Sequence, residues 1–141
     1  MAEYPRIDHT VDGVLLRWIE GNLHVVLIQR RDEPFKGCWA LPGGFVDVHE
    51  TLEESLLREL KEELGCEVAG VQEIGNFDDP GRDPRGRVIT TAYLVEPEDW
   101  DALKAGDDAV SYGLFPVDAL PDLAFDHELI IDWGIDKWMH R

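Results

Sequence analysis

The sequence predicts an α/β protein folded as one sandwich, and three observations predict it. Short β-rich runs alternate with clusters of turn residues, and two segments carry apolar residues at helical spacing. Neither a repeat, a low-complexity tract nor a linker divides the 141 residues, so one domain over residues 1–141 is expected.

The elements follow in order. Residues 1–9 read as an N-terminal arm. Thr10–Trp18 and Leu23–Gln29 are β-rich, and Glu20-Gly21-Asn22 between them suits a hairpin turn. Arg30–Pro34 breaks the second run, and Phe35–Leu41 leads through a short strand to Pro42-Gly43-Gly44. Thr51–Leu64 is the clearest helix, with Thr51 suited to the N-cap, Glu53 and Glu54 in the first turn and Gly65 at the C-cap. Glu67–Phe77 reads as a strand, Asp78–Arg87 as a loop dense in turn residues and arginine, and Val88–Val95 as a strong β run. Pro97–Asp108 is acidic and irregular, with a helical turn near Trp100–Lys104. Tyr112–Phe115 suits a short strand closed by Pro116, and Asp126–His140 a helix despite Gly134.

Charge narrows the function classes. Thirty acidic residues against thirteen basic ones give −17, and only four of the bases are lysines. Such a chain repels nucleic acid and anionic membranes, so neither is an expected partner. No apolar run reaches membrane-spanning length, and MAEYPRIDHT carries no secretion signal pattern. Cys38 and Cys66 are too few for a disulfide framework and lack metal-motif spacing, which makes a cytoplasmic location the expectation. An acidic, lysine-poor surface also suits a high-salt cytoplasm.

The chemistry gathers between Gly43 and Cys66. On a helix at about 100° per residue, Leu52, Leu56, Leu57, Leu60 and Leu64 form an apolar stripe, with Glu59 and Glu63 stacked on one flank. Glu62 lies further round, beside Arg58. Adjacent carboxylates repel unless a cation sits between them, and oxygen-only ligands point to Mg²⁺ or Mn²⁺ rather than zinc. Gly43-Gly44 lets the backbone come close, so the Gly43 carbonyl could add an oxygen. A solvated helix face with ion pairs of the Glu54–Arg58–Glu62 kind is the competing account.

The full spacing weighs against that account. From Gly44 the pattern is G-x5-E-x7-R-E-L-x-E-E-x-G, the Nudix box, and a chance match is rarer than about one in 10⁷ per start. The sequence resembles a Nudix hydrolase; Cys66 stands where that box usually has an aliphatic residue. The resemblance implies an α/β/α sandwich with a mixed central sheet flanked by helices, and hydrolysis of a nucleoside diphosphate linked to another group. It makes Glu59 and Glu63 the main metal ligands, with Glu62 and the Gly43 carbonyl assisting, and Glu50 and Arg58 the residues that orient the helix and its carboxylates. For the general base it leaves Asp107, Asp108, Asp78, Asp79 and Glu62 open, with Ser111 closest to where the acid is expected.

The flanks carry the substrate. Arg30-Arg31, Pro34-Phe35-Lys36-Gly37, Trp39-Ala-Leu-Pro-Gly-Gly-Phe-Val, the loop from Phe77 to Val88 and Leu123-Ala-Phe-Asp-His127 resemble the ADP-ribose pyrophosphatase branch. That resemblance implies ADP-ribose cleaved to AMP and ribose 5-phosphate, a small nucleotide as partner, and a homodimer. Oxidised nucleoside triphosphates, NADH and dinucleoside polyphosphates are the alternative substrates, and a non-hydrolysing ADP-ribose sensor the alternative class. Arg31, Arg82, Arg85 and Arg87 are candidates for the phosphates or a ribose, and Phe35 and Phe77 for stacking on the base. Against this, the loop arginines could neutralise Asp78, Asp79 and Asp83. Trp39 reads as core, and Asp126-His127 as an N-cap pair.

Overall fold

A computed structural model describes residues 4–106 and 111–141. In chain order the elements are β1 (Asp8–Val14), β2 (Leu16–Ile19), β3 (Asn22–Gln29), β4 (Trp39–Ala40), β5 (Gly43–Phe45), α1 (Leu52–Leu64), β6 (Val68–Phe77), β7 (Val88–Pro97), β8 (Tyr112–Pro116) and α2 (His127–Met139). A single 3₁₀ turn, Trp100–Ala102, stands where the acidic stretch suggested one.

The strands form two four-stranded sheets between the helices. One is mixed, in the order β5-β1-β7-β6, with β1 and β7 parallel. The other is antiparallel, with β3 pairing β2, β4 and β8. The run Thr10–Trp18, expected as one strand, is therefore two. Leu15 is the break: it is fully buried, its carbonyl accepts from the Val26 N–H at 3.1 Å, and the chain passes there from one sheet to the other. Apolar residues on both faces hide such a change of partner from any period-2 reading.

Alternation across the strands supplies both layers of core. Val11, Val26, Tyr93 and Val95 pack with Leu56, Leu60 and Leu64 of α1. Val14, Val25, Leu27, Ala92 and Leu94 pack with Ile130 and Ile131 of α2. The helix in the second layer tolerates Gly134 because it lies so close to the sheet: a Cβ there would stand 3.1 Å from Val14 and 3.2 Å from Ile74. Phe77, a stacking candidate in the sequence, belongs to this layer; it is buried, with Trp133 edge-on at 5.2 Å, and presents no face to a ligand.

Helix α1 begins and ends as its sequence dictates. The Thr51 hydroxyl accepts from the Glu54 N–H at 3.1 Å while the Thr51 N–H donates to the Glu54 carboxylate at 2.9 Å, a complete capping box. At the other end the Gly65 N–H donates to the Lys61 carbonyl at 2.9 Å. The apolar stripe differs from expectation at both margins. Leu57 is 43% exposed, whereas Glu63 is buried among the leucines.

Candidate active site

Helix α1 and strand β5 face one another, and the glycine pair sets their distance. A Cβ on Gly44 would lie 2.6 Å from the Glu59 carboxylate, so no other residue lets the helix carboxylates come this near the backbone. The Gly43 N–H donates to Glu63 Oε1 at 3.1 Å, whereas Glu63 Oε2 is buried and meets no donor. Burial first, then the neighbouring Glu59 carboxylate and the charge of Asp12, push the Glu63 carboxyl up to about 9 against the pull of the Gly43 N–H.

Arg58 organises the exposed side of the same helix. Its guanidinium donates to Glu50 at 3.0 Å, Glu59 at 2.8 Å, Glu62 at 3.5 Å and the Phe45 carbonyl at 3.3 Å. Burial works against its charge, but the hydrogen bonds to Glu50 and Glu59 outweigh it and raise its pKa. Glu50 also accepts from the Ser55 hydroxyl at 2.7 Å, which ties the preceding loop to the helix. The five box residues thus meet, with Arg58 bonded to Glu50, Glu59 and Glu62, and Glu59, Glu62 and Glu63 along one cleft. Among the described residues no three acidic, histidine or cysteine side chains form a ready-made cation site. An orphaned carboxylate oxygen in a glycine-lined cradle nevertheless fits a hard divalent cation whose other ligands are backbone, water and phosphate oxygens.

Two clefts meet at this point. One, of about 190 Å³, is lined by Glu59, Glu62, Glu63, Gln29, Arg30 and Arg31. The other, of about 180 Å³, lies between Asp12, Arg30, Asp83, Arg85, Phe125 and His127. Gly43 and Arg30 line both.

The remaining candidates divide sharply. Arg31 lies in the first cleft, near Asp32 at 3.7 Å. Arg85 lines the second, forked onto Asp83 and set over the rings of Phe45 and Phe125 at 4.8 and 5.3 Å. Those bonds hold the Asp83 carboxyl below its ordinary value although burial alone would raise it. Arg82 also borders this cleft, but its guanidinium is buried and both its bonds go to Asp126, at 2.6 and 2.9 Å, and not to the loop aspartates expected as partners. Of the loop pairs among the described residues, Arg85 with Asp83 is the one that forms. Arg87 donates to the Asp78 carbonyl and lines neither cleft. Phe35 stacks edge-on against Phe125 at 4.9 Å and faces a third hollow beside Cys38 and Leu123, so it is no platform in either cleft.

Of the general-base candidates, Asp107 and Asp108 fall outside the described residues. Asp78 and Asp79 line neither cleft, and the Asp79 carboxylate accepts from the Gly81 N–H at 2.9 Å. Ser111 donates to Gln29 at 3.4 Å beside the first cleft. Glu62, with its side chain 52% exposed, remains there. Cys66 packs as expected of a small hydrophobe, and burial pushes its thiol up to about 11.

Among the wall residues, sequence reasoning missed Asp12, placed Arg30 and Phe125 only within the flanking motifs, and read His127 as part of an N-cap pair. Asp126 does sit at the N-cap position, but its side chain caps nothing because it holds Arg82. His127 points into the protein, where Nδ1 accepts from the Leu41 N–H at 3.0 Å. A charged residue inside an apolar strand, as Asp12 is in Val11-Asp12-Gly13-Val14, was the available signal.

Comparison with known proteins agrees with this geometry. The NUDIX domain model matches residues 9–134. An ADP-ribose pyrophosphatase of Methanocaldococcus jannaschii is 47% identical over 121 residues, 86% of this chain and 69% of that protein. An ADPR-responsive transcriptional repressor, NtrR, of Acinetobacter baylyi is 35% identical over 67% of this chain, which spans only 38% of the repressor. The crystal structure of the NUDIX domain of Shewanella oneidensis NrtR in complex with ADP-ribose superposes with a TM-score of 0.87 at 29% identity, covering 96% of this chain and 90% of that one. With the domain match running through both sheets and both helices, and the box carboxylates drawn together against Gly43 and Gly44, the chain belongs to the Nudix family.

Proposed function

We propose that this chain is a divalent-cation-dependent pyrophosphohydrolase that cuts ADP-ribose into AMP and ribose 5-phosphate. The observation that carries the chemistry is Glu63, a carboxylate buried opposite Glu59 with one oxygen unmatched by any donor. Such a pair is stable only protonated or across a cation. Glu59, Glu63 and the Gly43 carbonyl would hold Mg²⁺ or Mn²⁺, with Glu62 close by. When bound, the cation neutralises the diphosphate and makes water a stronger nucleophile.

The chain's own residues supply the rest. Arg58 holds Glu59 and Glu62 in register on the helix flank, and Glu50 fixes Arg58. Arg30 and Arg31 bind phosphate oxygens along the first cleft. Glu62, the most accessible of the three carboxylates in that cleft, orients the attacking water and takes its proton. The substrate assignment draws on the M. jannaschii relative, whose name gives ADP-ribose and of which this chain covers 69%.

No helix among the described residues is long and apolar enough to cross a membrane, and both cysteines are free thiols. Those facts support a cytoplasmic site of action. Trp133, Leu129 and Met139 expose apolar surface along α2, which a homodimer would cover.

A Mg²⁺-dependent substrate panel with phosphatase-coupled phosphate detection tests the proposal. ADP-ribose is expected to give the highest kcat/KM over NADH, dinucleoside polyphosphates and oxidised nucleoside triphosphates. Preference for a triphosphate overturns the substrate, and tight ADP-ribose binding without turnover makes the chain a sensor.

A further inference from the structure

The second cleft has an unusual floor. Asp12 and His127 form it, 6% and 4% exposed, on β1 and at the start of α2. Asp12 Oδ2 accepts from the Thr90 hydroxyl at 2.7 Å. The Leu41 N–H occupies His127 Nδ1, so the neutral ring carries its proton on Nε2. Burial keeps the ring neutral, against the attraction of Asp12. His127 Nε2 and Asp12 Oδ1 then face one another at 3.7 Å, beyond hydrogen-bonding range, and neither has another protein partner among the described residues. A fixed donor and a fixed acceptor thus stand side by side on the cavity wall.

Both groups line the open cleft, where a polar ligand can reach them together. A sugar hydroxyl does so in one step, accepting from Nε2–H and donating to Oδ1. The rest of the wall favours a sugar over a base. Arginine already lies over both aromatic rings: Arg85 over Phe45, and Arg30 and Arg85 over Phe125 at 5.1 and 5.3 Å. Arg30 then stands at the junction with the carboxylate cleft, where a phosphate attached to that sugar would emerge.

We infer that this cavity takes the phosphorylated-sugar half of the substrate, with Asp12 and His127 reading a ribose hydroxyl and Arg30 the adjoining phosphate. The inference rests on the ADP-ribose reading for its substrate, but its test is independent of turnover.

Calorimetric titration of the wild-type protein with ribose 5-phosphate, with its 2-deoxy and 3-deoxy analogues, and with AMP measures the site directly. At least one deoxy analogue is expected to bind about tenfold more weakly than ribose 5-phosphate. Equal binding of all three sugars overturns the assignment. Asp12→Asn reverses the polarity at Oδ1, and His127→Asn keeps an acceptor for the Leu41 N–H while removing the Nε2 donor. Either variant should erase the discrimination among sugars and leave AMP binding unchanged; parallel loss of AMP binding counts against it. The wild-type comparison decides the matter even if neither variant folds. Discrimination without ADP-ribose turnover would leave the cavity assigned and the proposed activity refuted. Turnover without discrimination would do the reverse.

Discussion

Glu63 sits at one margin of the α1 stripe, between Leu52 and Leu56 and about 20° from each at 100° per residue. Its carboxyl, raised to about 9 chiefly by burial, keeps in the folded state a proton that the unfolded chain releases near 4.5. The native state therefore binds the extra proton across that window, and without a cation its stability falls as pH rises through it. Glu63→Gln removes this loss. We expect its metal-free thermal midpoint at pH 8 to equal or exceed that of the wild type, with a flatter dependence between pH 5 and 8. Turnover should drop about a hundredfold or more. Retained turnover would refute the ligand role; a midpoint well below wild type would refute the buried repulsion.

At the scale of elements, α1 is held by its own ends as well as by its core. Thr51→Ala removes the capping hydroxyl and should cost about 1 kcal/mol of stability, read from urea unfolding, while kcat at 25 °C stays within about twofold. A large loss of kcat would mean that the cap also sets the carboxylate geometry. Helix α1 was legible in the sequence because everything that defines it is local: cap, stripe, box spacing and C-terminal glycine lie within the twenty-two residues from Gly44 to Gly65. The polar floor was not. Asp12 and His127 stand far apart in the chain and meet only through the β1–β5 pairing, which sets Asp12 opposite Gly43, and the Leu41 hydrogen bond that turns the imidazole. The same holds for Arg82, whose partner Asp126 follows a different strand altogether. Composition suggested that the loop arginines act together; the fold gives each a separate task.

Across the whole molecule a charge of −17 opposes compactness. Exposed carboxylates repel over about 10 Å at 0.1 M salt and over about 3 Å at 1 M. In EDTA, so that no divalent cation contributes, raising KCl from about 0.1 to 1 M should lift the thermal midpoint by several degrees. A salt-independent midpoint would remove the case for a protein adapted to high salt.

The junction at Gly43 and Arg30 has a consequence for how such a protein could change. In the function proposed above, bond-breaking chemistry resides on one helix and a glycine pair, whereas Arg82, Asp83, Arg85 and Phe125 in the neighbouring chamber's wall come from loops. Those loops can be rewritten without moving a carboxylate. A lineage built on this plan can exchange its diet while keeping its teeth.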